Sequence, residues 1–114
     1  MEGFQYLRLV GEILKECVPL ETLLGNPKIA DPVQCRKDLQ RIKDSLEIAK
    51  AETPLEYQEM ITLMDHLTKI IADLDQRLRL RRFDTPLVRE FQEKIGELRE
   101  ACLEAALADR SHPT

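Results

Sequence analysis

One histidine and two carboxylates are the residues of this sequence best suited to chemistry. Glu59, His66 and Asp73 follow one another in steps of seven residues, and that step brings side chains to one face of a helix. Carboxylates and imidazole bind metal ions and transfer protons. Ligands on one helix, however, stand three or four residues apart, and His66 has Leu, Thr, Lys and Ile at those distances. We interpret this row as a solvated polar face.

No other motif predicts catalysis or a cofactor. The sequence has no glycine-rich phosphate loop and no cysteine–histidine metal spacing. Its three cysteines, Cys17, Cys35 and Cys102, form no CxxC pair and each falls in register with an apolar stripe. That pattern is typical of small buried side chains in a reducing compartment. We predict a protein that is not an enzyme, binds no metal or cofactor, and is soluble and cytoplasmic.

A group of arginines is the only strong local charge. Residues 77 to 82 hold four positive charges and no negative one, whereas the whole chain has 17 basic and 21 acidic residues. Asp73 and Asp75 precede two of these arginines by four residues, a spacing that stabilises an exposed helix. Helix stability therefore explains half of the group. The arginines are Arg77, Arg79, Arg81 and Arg82.

Apolar residues accompany the arginines. The helical wheel places Arg82 where an apolar seam would continue and Leu80 on the polar side, so the core pattern ends after Leu78. We predict that Arg77 to Phe83 form an exposed tip that binds a partner, with an acidic foreign protein favoured over a second copy. The predicted partner-binding residues are Arg77, Arg79, Leu80, Arg81, Arg82, Phe83 and Leu87.

The tip ends a long helical pattern from Thr53 to Phe83. Its apolar residues alternate three-residue and four-residue steps: Tyr57, Met60, Met64, Leu67, Ile71, Leu74 and Leu78. Leu63 and Ile70 widen this seam beyond what a two-stranded coiled coil needs. The pattern therefore predicts a central helix, helix 3, that contacts more than one neighbour.

Prolines mark the predicted boundaries of the other helices. Pro32, Pro54 and Pro86 each stand at a favourable first helical position, and Thr53 with Glu56 resembles a capping box for helix 3. Pro19 predicts the end of helix 1 near Cys17 or Val18. Helix 1 would then be about half as long as helix 3 and would leave part of its seam bare. The predicted core stripes are Leu7, Val10, Leu14 and Cys17 in helix 1, Cys35, Leu39, Ile42, Leu46 and Ala49 in helix 2, and Leu87, Phe91, Ile95, Leu98, Cys102 and Ala105 in helix 4.

These patterns predict an all-α fold, an antiparallel helical bundle of three long helices plus a shorter N-terminal helix. Residues 1–110 would form a single domain and residues 111–114 a flexible polar tail. We expect a non-enzymatic interaction module, such as an adaptor, a chaperone-like protein or a regulatory subunit, that binds a protein partner or itself as a homodimer. No pattern indicates binding to a membrane. The alternative is a small nucleic-acid-associated subunit that uses the arginines of the tip with Arg36, Lys37, Arg41 and Lys43.

Overall fold

The described residues of the chain are helical. In the computed structural model these are residues 5–24, 32–80 and 85–110. They form four helices, α1 (Gln5–Leu24), α2 (Pro32–Glu52), α3 (Gln58–Arg79) and α4 (Thr85–Arg110), and include no strand. The predicted all-α class is confirmed for this part of the chain. Residues 111–114, the predicted tail, lie outside it.

The four helices pack as a closed ring. α1 contacts α2, α2 contacts α3, α3 contacts α4, and α4 contacts α1, whereas no contact joins the diagonal pairs α1 and α3 or α2 and α4 within the described ranges. The molecule measures 52 × 20 × 19 Å. Two equal short dimensions fit four aligned helices in a two-by-two arrangement, with the core along the long axis.

The buried faces of α2 and α3 are those that the apolar spacing predicts. Every member of the helix 2 stripe is buried, and the α3 seam is buried from Met60 to Leu78, including the widening residues Leu63 and Ile70. Each large side chain of this kind contributes about 1.5 to 3 kcal/mol when fully buried. The buried residues of α3 are Met60, Leu63, Met64, Leu67, Ile70, Ile71, Leu74 and Leu78.

α1 does not end at Pro19 as predicted; it continues to Leu24. Pro19 and Lys15 are both exposed, so the Lys15 carbonyl that proline cannot hydrogen-bond lies on the face open to water. Beyond the proline, Leu20 is 2% and Leu24 1% exposed. Their burial offsets the roughly 3 kcal/mol cost of proline in a helix.

The prediction that helix 1 is about half as long as helix 3 is therefore wrong. α1 has 20 residues and α3 has 22. The expected bare part of the α3 seam is also absent, because α2 and α4 cover α3 while α1 lies diagonally opposite. The exposed fraction of the seam residues from Met60 to Leu78 does not exceed 8%. No groove for a partner helix opens along this seam.

Thr53 ends α2 and does not cap α3. The Thr53 hydroxyl donates a hydrogen bond to the Ala49 carbonyl at 2.7 Å, and Thr53 is 5% exposed. α3 begins at Gln58, and its N-cap residue, Tyr57, makes no side-chain capping bond. The predicted capping box of Thr53 and Glu56 is wrong because the threonine hydroxyl is already used by the preceding helix.

The other two predicted starts agree with the structure. α2 begins at Pro32, and α4 begins at Thr85, one residue before Pro86. In α4, Phe91 and most of the predicted stripe are buried, while Leu87 and Cys102 are half-buried against the core. A Cβ atom added at Gly96 in this helix would meet no described atom within 4 Å.

Candidate partner-binding surface

The three residues of the polar row do not form a metal site. Glu59, His66 and Asp73 are each exposed on α3. Within residues 5–24, 32–80 and 85–110, no group of three or more His, Cys, Asp or Glu side chains is arranged to hold a metal ion. Their exposure is what a solvated polar face requires.

The predicted tip lies partly within the described residues. α3 ends at Arg79, and the Leu80 N–H bonds to the Gln76 carbonyl at 3.1 Å. Leu78 is 8% exposed and Leu80 56%, so the core pattern ends where the sequence predicts. Arg79 is exposed, whereas Arg77 is half-buried.

The remaining tip residues contribute differently. Leu87 is half-buried and packs against the hydrophobic core, so its side chain is partly used by the fold itself. Arg81, Arg82 and Phe83 lie outside the described residues. Arg79 and Leu80 are therefore the exposed members of the predicted set that the structure describes.

α2 adds a surface to this end of α3 that the sequence reasoning missed. Arg36 donates from Nε to Asp75 Oδ1 at 2.9 Å across the two helices. The two residues line an open groove of about 300 Å³ together with Val33, Lys37 and Gln40. Val33 is 61% exposed. A single apolar residue in the first turn of a helix shows no periodicity, so only the packing of α2 on α3 reveals its position.

The basic residues of α2 do not share one face. Arg36 pairs with α3, whereas Arg41 lies toward α1, with its Nε 3.7 Å from Glu16 Oε2. Arg41 also lies 3.4 Å from Asp38. The predicted basic cluster on α2 is thus divided between two flanks, and half of its arginines and lysines pair with acids. Lys37 is exposed and Lys43 half-buried.

The cysteines lack the properties of nucleophiles. Burial raises the pKa of the Cys17 thiol to about 12, with Glu21 and Glu16 adding to the rise. Burial also raises the pKa of Cys102. A thiol whose pKa lies well above neutrality carries little thiolate, the reactive form. Cys17, Cys35 and Cys102 are free in the structure, and Cys17 and Cys35 are buried as the apolar stripes predict.

The clearest electrostatic contact joins α2 and α3 at the far end from the tip. Lys50 Nζ donates to Asp65 Oδ1 at 3.2 Å. This hydrogen bond lowers the pKa of the Asp65 carboxyl and raises the pKa of Lys50. Because Asp65 is about half exposed, water screens the pair and it orients the two helices more than it stabilises them.

Comparisons with protein-family models, with curated proteins and with solved structures find no match to this chain. Among the four helices described, none has the length and apolar character needed to cross a membrane. A proposal about function has to come from the surface chemistry of the chain itself.

Proposed function

We propose that this chain is a non-enzymatic helical interaction module that binds a protein partner at the end of the bundle where α3 ends. The observation that carries the proposal is a pair of aliphatic residues at that end, Val33 and Leu80, which are 61% and 56% exposed. Val33 lines the open groove of about 300 Å³ beside α3. We call Val33, Lys37, Arg79, Leu80 and this groove the α2–α3 tip.

An antiparallel arrangement of α2 and α3 forms part of the proposal. Arg36 contacts Asp75 at 2.9 Å and Lys50 contacts Asp65 at 3.2 Å. The residue numbers rise along α2 and fall along α3 between these two contacts. An antiparallel pair brings Val33, in the first turn of α2, toward the last turn of α3, where Leu80 lies.

The chemistry of the α2–α3 tip favours an acidic amphipathic partner. Lys37 and Arg79 are exposed and flank the two aliphatic residues. Aliphatic anchors supply most of the affinity of an interface, and complementary charge at its rim speeds association. The bundle interior is already filled by its own helices, so the partner would bind the outside of the bundle and would not replace a missing helix.

The experiment compares a tip variant with a matched control. Val33→Glu, Leu80→Glu carries two acidic charges at the tip, and Leu55→Glu carries one in the α2–α3 turn, where Leu55 is 78% exposed. The wild-type protein and both variants are used as bait in a lysate of the source cells, and captured proteins are identified by mass spectrometry. We expect a protein that the wild type and the control capture and the tip variant does not.

The captured protein is then purified and its affinity measured by calorimetry. Loss of two aliphatic contacts should weaken binding by at least about ten-fold. Equal affinity of the tip variant and the Leu55→Glu control would contradict the proposal. Capture that disappears after nuclease treatment and falls steeply with salt would instead favour the nucleic-acid alternative.

Self-association and a cytoplasmic location remain proposals. A homodimer that covers a bare α3 seam has lost its reason, since that seam is buried, but a dimer through Leu80 and its neighbours is still possible in principle. Sedimentation across a concentration range tests it, and a monomer throughout would dispose of it. Three free cysteines fit a reducing compartment such as the cytoplasm.

A further inference from the structure

A second surface lies on the other flank of α2, between α2 and α1. A cavity of about 80 Å³ opens there, and we call it the α1–α2 cavity. Its apolar part consists of Ile13, which is 3% exposed, Leu9, which is half-buried, and Ile48, which is 59% exposed at the rim. The lining residues are Leu9, Glu12, Ile13, Glu16, Ser45 and Ile48.

The size of the α1–α2 cavity suits part of one side chain. A cavity of about 150 Å³ lined by aliphatic residues holds benzene. One of about 80 Å³ is about half as large, which matches the branched end of a single aliphatic side chain. Ile48 extends the apolar surface outward from the opening, so a helix lying across it would bury more than the inserted side chain.

Two carboxylates of the lining give the cavity an acidic character. Glu16 Oε2 is shielded from solvent and accepts no hydrogen bond within the described part of the chain. The Arg41 Nε atom lies 3.7 Å from it, which is beyond hydrogen-bond distance. Glu12 lies one turn away, and its Oε1 is 3.7 Å from the Nε of Arg8. Both of those side chains are more than 60% exposed, so their pairing contributes little and another cation can displace it.

We propose that the α1–α2 cavity docks a basic amphipathic helix of a protein partner. One leucine or isoleucine of that helix enters the cavity beside Ile13 and Ile48. Lysine or arginine residues four positions apart bond Glu12 and Glu16, which have the same spacing on α1. A cation at this position gives Glu16 the hydrogen bond that it lacks. The site is independent of the α2–α3 tip, because it lies on the opposite flank of α2 and selects the opposite charge.

The probe is a synthetic helical peptide of about 18 residues built from leucine and lysine, with leucines in three-four spacing. A peptide with glutamate in place of lysine is the matched control. Each is titrated into the full-length, ¹⁵N-labelled chain. We expect the lysine peptide to shift the amide signals of residues 9–16 and 45–48, and the glutamate peptide to bind at least about ten-fold more weakly.

Variants separate insertion from attraction. Ser45→Leu fills the cavity without changing charge and should weaken binding of the lysine peptide by about ten-fold or more. Glu12→Gln should weaken it by about two- to five-fold at low salt. Glu104→Gln removes an exposed carboxylate from α4 and should leave the affinity unchanged. Circular dichroism checks that each variant stays helical, and Ile48→Ser, at an exposed position, replaces Ser45→Leu if that variant unfolds.

Several results would overturn the proposal. Shifts that centre on α4 or on the α2–α3 tip would place the peptide elsewhere. A Glu104→Gln effect as large as that of Glu12→Gln would show attraction to the overall negative charge alone. Unchanged affinity after the cavity is filled would show that no side chain enters it, and absence of binding by the lysine peptide would exclude the site.

Discussion

α1 and α3 occupy opposite corners of the ring, and both pack against α2 and α4. The apolar spacing of α3 runs without interruption, and the residues it selects are buried. α1 contains Pro19, and the helix continues through it because Leu20 and Leu24 enter the core beyond it. After Pro54 the next residue, Leu55, is 78% exposed, and the chain leaves the helix. A proline therefore ends a helix here only where the following residues have no core to enter.

The largest effect is expected at the centre of α3. Leu67→Ala should lower the free energy of unfolding by about 2 to 5 kcal/mol, since Leu67 is 1% exposed and the substitution leaves a cavity. His66→Ala, at the exposed neighbouring position, should change it little. Urea denaturation followed by circular dichroism measures both. Equal destabilisation by the two variants would mean that the faces of α3 are wrongly assigned.

The next effect concerns the proline inside α1. Pro19→Ala supplies the N–H that the Lys15 carbonyl lacks and removes the ring, so we expect the free energy of unfolding to rise by about 1 to 3 kcal/mol. Pro54→Ala should lower it by about 0.4 to 1 kcal/mol, because proline in a turn restricts the unfolded chain. The two alanine variants are compared in the same denaturation experiment. A Pro19→Ala protein less stable than wild type would indicate that α1 ends at the proline after all.

These expectations show how far the sequence predicts the fold. The three-four spacing identifies the buried faces of α2 and α3 because each residue there contributes to one uninterrupted stripe. The length of α1 was not predictable from local signals, since the penalty at Pro19 is local while the compensating burial of Leu20 and Leu24 depends on α2 and α4. Val33 escaped notice for the same reason, because its surroundings are created by another helix.

A smaller effect is expected where α2 gives way to α3. Thr53→Val keeps the shape of the side chain and removes the hydroxyl that bonds Ala49 at 2.7 Å. Leaving that buried carbonyl without this donor should cost about 1 kcal/mol. Thr53→Ser retains the hydroxyl and separates loss of the hydrogen bond from loss of the methyl group. If Thr53→Val were as stable as wild type, the hydroxyl would have no part in ending α2.

The smallest effect depends on pH and distinguishes α3 from α1. The pKa of Asp65 is lowered by Lys50, so the stability that Asp65 contributes is present above its unfolded pKa and is lost as pH falls through the folded value. The pKa of Lys50 is raised by Asp65, so its contribution is complete below its unfolded pKa and is lost as pH rises through the folded value.

The difference in stability between wild type and Lys50→Met should therefore be constant from about pH 5 to pH 9 and shrink on both sides. Lys15→Met on the exposed face of α1 provides the control, and its difference from wild type should show no comparable change. Denaturation midpoints across the pH range measure both variants. A difference for Lys50→Met that stays constant at low pH would mean that the Asp65 contact does not persist in solution.

The ring arrangement also has a consequence for folding kinetics. Three of its four interfaces join helices that are consecutive in the chain, and the fourth joins α1 to α4. At that interface the Gln92 side chain reaches the Glu21 carbonyl at 3.5 Å across a sequence separation of 71 residues. Contacts between consecutive helices close short loops and form quickly, whereas loop-closure entropy is greatest for the α1–α4 interface. Hydrogen exchange at the α1–α4 interface should therefore report the opening of the ring before α2 and α3 separate.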